Sequence, residues 1–271
     1  MDAGPCMGFK AAGVHAGLKK NGEPDLGLIF SETPAAVAAV FTRNQIQAAP
    51  VVLDRQRVAS GRSRAIIVNS GNANCCIGEV GMRAAARMGA AAARALGLAD
   101  EDVLVASTGV IGKPLPVAKI EAAAPTLVEK LTPDGFSQLA RAIMTTDTEP
   151  KAVFRTGRVG ARPYHIAAVA KGAGMIEPNM ATMLVYILTD AAIETPVLNE
   201  MLRAAVRDSF NMLSVDTDTS TSDTCVIMAN GQSGNVDPEN FLGALRFGCI
   251  EMTRMLARDG EGATKLLCAS V

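Results

Sequence analysis

One segment of this chain has the residue types and spacing for covalent chemistry: Lys171-Gly-Ala-Gly-Met-Ile-Glu-Pro-Asn-Met-Ala-Thr182. Residues 183–188, Met-Leu-Val-Tyr-Ile-Leu, read as a buried strand, so Thr182 stands where a flexible loop enters a rigid sheet. A hydroxyl held against the carbonyl of Ala181 can attack the peptide bond that precedes it and shift the acyl group from nitrogen to oxygen. Hydrolysis of the ester would then cut the chain. The new first residue, Thr182, would carry both a hydroxyl nucleophile and a free α-amine. That amine, with a reference pKa of about 7.7 to 8.0, is partly neutral near pH 7 and able to accept the hydroxyl proton. A threonine at a strand start is more usually there for β-propensity and a capping hydroxyl, which on the residues alone is the plainer reading.

Other side chains could assist such chemistry. Ser107-Thr108-Gly109 follows an apolar run at 103–106. A hydroxyl and a backbone N–H at a strand mouth, with glycine permitting close approach, are the parts of an oxyanion hole for acyl transfer; a simple turn is the plainer account. Thr145 reads otherwise as a helix-end hydroxyl, Lys171 as a solvated amine, and Glu261, in Asp259-Gly-Glu-Gly262, as a loop carboxylate. The run from Asp216 to Thr224 starts like a calcium loop, but Thr221 replaces the turn glycine and Ile227 the closing glutamate, so turns that stiffen a loop are the better account and no metal is called for. Gly172-Ala-Gly174 lacks the third glycine of a dinucleotide fingerprint. Gly109 to Lys113 is too short for a Walker loop, and no G-x-S-x-G elbow is present.

The elements that must position these groups alternate between strand and helix. Apolar runs at 25–30 and 37–42, separated by Thr33-Pro34, predict two strands, and residues 65–69 a third that ends in a polar loop. A helix spans Glu79 to Leu96 and stops at Gly97. Helices are expected after Pro116 to about Lys130, and from Asp134 as N-cap through Ala142. A turn-rich linker from Arg155 to Pro163 precedes a strand at 164–170. Thr195-Pro196 and Asp237-Pro238 each read as an N-cap followed by proline, opening helices to about Phe210 and Arg258, with a strand at 225–229 between them. The fold class is α/β (α+β), a layered sandwich of mixed β-sheets flanked by helices.

Composition sets the outer limits. With 271 residues, 49% of them hydrophobic, and a net charge of -1, the chain reads as a soluble globular protein with a substantial core. No basic cluster suggests nucleic acid, no apolar run is long enough to span a membrane, and the N-terminus does not read as a secretory signal; a cytoplasmic location is the default. Six cysteines without a C-x-x-C pair, and only two histidines, disfavour zinc; buried reduced thiols are the expectation.

Seven ordered blocks resemble the ornithine acetyltransferase family of arginine biosynthesis, bifunctional glutamate N-acetyltransferases/amino-acid acetyltransferases. They are Ala38 to Asn44 with Ala48-Ala-Pro-Val, Val68 to Asn74, Ala106 to Gly112, Met144 to Thr148, Lys171 to Leu184, Ser209-Phe-Asn211 with Thr219 to Thr224, and Asp259 to Lys265. The resemblance implies a self-cleaving fold of the N-terminal-nucleophile type, cut between Ala181 and Thr182 into an α chain of 1–181 and a β chain of 182–271. Thr182 would be the nucleophile, Thr108 and Gly109 the oxyanion hole, and Thr145, Lys171, Thr182 and Glu261 substrate contacts. The implied reaction is ping-pong: acetyl passes from N-acetylornithine to Thr182 and then to glutamate, with no cofactor. Acetyl-CoA is left open as a second donor, since no CoA-binding pattern is legible. Two α and two β chains would form a heterotetramer. Two departures stand out. Thr217 occupies a place where the family often has glycine, read as a minor change, and the chain stops at Val271, before the stretch that usually completes the substrate site. A truncated, non-catalytic remnant of the fold is therefore the alternative, and a related self-cleaving aminopeptidase, which typically has serine at the cut, the weaker third.

Overall fold

A computed structural model describes residues 6–159, 162–177 and 183–270. In chain order its main elements are β1 (Phe9–Val14), β2 (Leu26–Phe41), α1 (Ala49–Arg57), β3 (Arg62–Asn72), α2 (Gly78–Leu96), β4 (Val103–Val110), α3 (Val117–Glu129), α4 (Phe136–Ala142), β5 (Lys151–Val159), β6 (Arg162–Lys171), β7 (Leu184–Ala192), α5 (Thr195–Arg207), β8 (Thr224–Asn235) and α6 (Pro238–Arg258). The strands form one mixed sheet in the order β4-β3-β2-β8-β7-β6-β5, with β1 pairing β2. β3 and β4 are parallel, as are β7 and β8; the other pairs are antiparallel.

β2 joins the two halves of the sheet. Its first part, to Ser31, pairs with β1; β3 pairs with it to Phe30 and again at Ala35 and Ala36; and β8 pairs with it from Ala36 on. Its register against β3 shifts between Phe30 and Ala35, where Pro34 cannot donate to a ladder, so the two expected strands are one long strand with an irregularity. Alternate residues of each half face different cores. Ile66 and Val68 of β3 pack with Leu184, Tyr186 and Leu188 of β7 in an inner cluster, which therefore lies between the two halves. Ala65 and Ile67 turn outward to α2 and α3, and Val185 and Ile187 outward to α5 and α6. The result is helix, sheet, sheet, helix: the layered α/β sandwich expected from the interleaved pattern. Strands buried on both faces explain why they read as continuous apolar runs rather than alternating ones.

Several boundaries differ from the expectation. The segment Arg155 to Pro163 belongs to β5 and β6, which pair as far as Val159 with Arg162. Gly135, not Asp134, caps α4, with no side-chain bond. Glu194 precedes α5, and the Thr195 hydroxyl donates instead to Gly61 O at 2.8 Å, joining α5 to the loop before β3. Asp237 does cap α6, accepting from Asn240 N at 2.8 Å. All six cysteines are free, but Cys76 and Cys268 are exposed, so only four are the buried thiols expected.

Candidate active site

The ends of β3, β4 and β6 and the beginnings of β7 and β8 meet at one end of the sheet, because the parallel and antiparallel pairings bring Asn69 beside Ser107 and Lys171 beside Leu184, itself beside Thr224. A cleft of about 990 Å³ opens there, a size suited to a small metabolite. Thr108, Gly109, Thr145, Lys171 and Glu261 all line it, together with Lys19, Lys20, Asn72 and Thr221. Five residues named from four separate stretches of sequence thus share one cavity.

Thr108 and Gly109 are set by their neighbours on β3. Ser107 donates to Asn69 Oδ1 at 2.6 Å, and Asn69 in turn donates to Asn72 O at 2.9 Å, a buried network that fixes both strand ends. Gly109 has φ +126°, and a Cβ there would stand 2.5 Å from Gly71 C and 2.7 Å from Asn72 N, so only glycine fits. The following loop is held by Ala73 N donating to Val110 O and Gly112 N donating to Cys75 O, each at 3.0 Å.

Lys171 is 3% exposed, so it is not a solvated amine. Burial pushes its ammonium below the usual lysine range, and Asp147, whose carboxylate lies 4.0 Å away, opposes that shift. Burial would raise the Asp147 carboxyl, but Lys171, Lys151 and the bonds from Lys151 and Thr145 together hold it below its ordinary value. Thr145 and Thr146 both line the cleft, and Thr145 N donates to Asp147 Oδ2 at 2.9 Å. Glu261 is exposed at the rim, its N–H donating to Ala173 O at 2.8 Å.

Ala181 and Thr182 lie outside the described residues. Their described neighbours on either side are tied to the 213–224 loop. Asp216 accepts from Met175 N and from Ile176 N, the latter at 2.8 Å, and Val215 N donates to Ile176 O at 2.9 Å. Asp216 therefore stiffens a loop, as its sequence setting suggested. Met183, next after Thr182 in the chain, donates its N–H to Asp223 Oδ1 at 3.1 Å and accepts from Thr224 N. Burial pushes the Asp223 carboxyl well above its ordinary value, outweighing Ser220, Met183 and Lys171. Thr217 has φ +64°, so a threonine where the resemblance leads to glycine is not a minor change: a β-branched residue is strained in the left-handed region.

The ArgJ family model matches residues 10–271. The chain belongs to the ArgJ family. Its relatives include the arginine biosynthesis bifunctional proteins ArgJ of Geobacter sulfurreducens, 49% identical over 97% of this chain and 69% of that protein, and of Syntrophotalea carbinolica, 48% identical over 96% and 68%. The chain thus spans about two thirds of the length of these relatives. Among solved structures it resembles the ArgJ of Bacillus halodurans (40% identity, TM-score 0.63) and the ornithine acetyltransferase of Mycobacterium tuberculosis complexed with ornithine (38%, 0.58). These cover 67% and 66% of this chain and 95% of each of those chains. An aminopeptidase of Ochrobactrum anthropi, described as a variant of the Ntn hydrolase fold, aligns over 95% of this chain and 87% of its own at TM-score 0.56 but 11% identity, a likeness of fold alone.

Behind the lining of this ArgJ-family cleft lie buried charged groups that contact its residues or their chain neighbours: Asp147 accepts from Thr145 N and Gly172 N, Lys151 donates to Asp147, and Asp223 accepts from Met183 N. The Lys19 loop, by contrast, lines the cleft itself. That loop closes on Asp25, whose buried carboxylate accepts from Ala16 N, Leu18 N and Lys19 N at 2.6 to 2.8 Å. Among the described residues no helix is long and apolar enough to cross a membrane, and no group of three or more His, Cys, Asp or Glu side chains is arranged to hold a metal.

Proposed function

We propose that this chain is an acetyltransferase of arginine biosynthesis that moves acetyl from N-acetylornithine to glutamate through an ester on Thr182. The observation that carries this reading is the convergence of Thr108, Gly109, Thr145, Lys171 and Glu261 on one cleft where β7 begins, next to the chain position of Thr182. In this reading Thr182 Oγ first attacks the carbonyl carbon of Ala181, the C–N bond breaks, and water hydrolyses the ester. A carboxylate remains on Ala181 and a free amine on Thr182. That amine takes the Oγ proton as the oxygen attacks the acetyl carbonyl of N-acetylornithine. Thr108 Oγ and the Gly109 N–H stabilise the tetrahedral oxyanion. The proton passes to the departing ornithine amine, and the glutamate amine then attacks the acetyl ester and regenerates the hydroxyl.

Lys171 would pair with the carboxylate of either amino acid and Glu261 with an ammonium group, the complementarity that both substrates need. The relatives' names and the ornithine bound to the M. tuberculosis enzyme support these substrates. Residues 1–181 make up about two thirds of the chain, the share matched by almost the whole of each solved ArgJ or ornithine acetyltransferase chain. Chains ending near the proposed cut would give that proportion. Acetyl-CoA as a second donor and pairing of two αβ units into a heterotetramer belong to the same proposal, with a location in the cytoplasm.

Incubation with N-[13C]acetylornithine and unlabelled glutamate tests the reaction. Labelled N-acetylglutamate and free ornithine are expected from the wild-type chain and neither from Thr182→Ala. A cut chain that transfers no acetyl would favour a non-catalytic remnant of the fold.

A further inference from the structure

The loop from Met144 to Lys151 connects α4 to β5, and at its centre is a carboxylate that none of the steps above employs. The Asp147 side chain has no solvent exposure. Its Oδ1 accepts from Gly172 N at 2.6 Å and from Lys151 Nζ at 2.8 Å, while Oδ2 accepts from Thr145 N at 2.9 Å and faces Lys171 Nζ at 4.0 Å. Lys151, also buried, donates onward to Glu149 O at 3.2 Å and to Asp259 Oδ2 at 2.5 Å. Asp259 receives the Thr148 N–H at 3.0 Å as well as the Thr148 hydroxyl, two residues before Glu261. Charges so far from water persist only when paired and hydrogen-bonded, and two lysines against two aspartates meet that condition.

We propose that Asp147 is a positioning residue of the cleft: a single buried carboxylate holds Thr145, Lys171 and, through Lys151 and Asp259, the turn bearing Glu261 in the arrangement that receives an amino acid by its carboxylate and ammonium groups. The role assigned to the cleft rests on the function proposed above; the link between Asp147 and Lys171 does not. Among the described residues, four charged groups act on Lys171. Asp147 and Asp223 favour its charged form, whereas Lys151 and Lys19 oppose it, as burial does. Asp147 is the strongest of the four, and its carboxylate, 4.0 Å from Nζ, works against the burial that disfavours the cation.

NMR titration of the whole chain carrying 13C-labelled lysine, with Lys171 assigned by comparison with Lys171→Arg, reads this link directly. Asp147→Asn is expected to lower the Lys171 midpoint by at least one pH unit. Lys151→Met, which removes a like charge and leaves Asp147 to Lys171, is expected to raise it, and this second variant decides the matter if the first does not fold. An unmoved midpoint in either folded variant overturns the proposal. Calorimetric titration with ornithine adds the functional readout. The Asp147→Asn affinity should fall at least tenfold and decline further from pH 6 to pH 9 than wild type does, whereas a wild-type affinity and pH profile would remove Asp147 from the site. Shifted Lys171 midpoints in a chain that transfers no acetyl would contradict the proposed function and leave the Asp147–Lys171 link standing.

Discussion

Valine in place of Thr108 keeps a β-branched shape at a buried strand end and removes only the hydroxyl. If that hydroxyl stabilises an oxyanion, kcat for acetyl transfer should fall by about 10² to 10³, the usual loss for one such donor, with the melting temperature nearly unchanged. A variant with wild-type kcat would remove Thr108 from the oxyanion hole. Thr217 makes the opposite kind of prediction. Thr217→Gly should stabilise the chain by about 1 kcal/mol or less, since it relieves left-handed strain while adding freedom to the unfolded chain; urea denaturation measures this, and a loss of stability would show that the threonine is not strained. Thr108, Gly109, Thr145, Lys171 and Glu261 were legible because each lies in a short block with a recognisable order. Asp147 and Asp223 were not, because what distinguishes them is the company they keep. The contacts that tie them to the chain on either side of Thr182, to Gly172 and Met183, span 25 and 40 residues of sequence, and burial between distant segments leaves no local pattern.

Helices with a cap or stop signal were read closest to their true ends. α2 ends at Gly97 in the left-handed conformation, and α6 starts from Asp237. Asp237→Ala should cost about 1 kcal/mol and Asp237→Asn little, both measured by urea denaturation; equal losses would show that the side chain caps nothing. Thr195 is the first residue of α5 rather than its cap, and its hydroxyl donates to Gly61 O instead of accepting an N–H of the first turn. β5 escaped notice for a different reason. Lys-Ala-Val-Phe-Arg-Thr-Gly-Arg-Val is too basic to resemble a buried strand, yet it forms the sheet edge, where charge is tolerated and pairing is needed on one side only. Lys151 can open that strand because the Asp147 and Asp259 carboxylates neutralise it.

At the scale of the whole molecule, buried carboxylates pull stability in opposite directions with pH. Burial pushes Asp54, which fastens α1 to β4 by accepting from Val105 N at 3.0 Å, well above its ordinary value, outweighing that bond and Arg57. Between the unfolded aspartate value of about 3.9 and its own folded value, the native state then binds more protons than the unfolded chain, so this contribution is lost as pH rises. Asp147 and Asp259 are held low: burial opposes this but is outweighed, at Asp147 by the two lysines, and at Asp259 by Lys151 and Thr148. Their contribution is present above about pH 3.9 and lost as pH falls through the lower folded values. Asp54→Asn should therefore match wild type near pH 4 and grow relatively more stable toward pH 8, read from melting temperatures across that range; a constant difference would show that Asp54 does not titrate in the fold.

Everything assigned to Thr182 depends on the peptide bond before it. Intact-mass spectrometry of the purified chain under denaturing conditions tests this most directly. The account predicts two species, residues 1–181 and 182–271, whose masses together exceed that of the uncut chain by one water, and a single uncut species from Thr182→Ala. A wild-type chain recovered as one species with the mass of all 271 residues would contradict it.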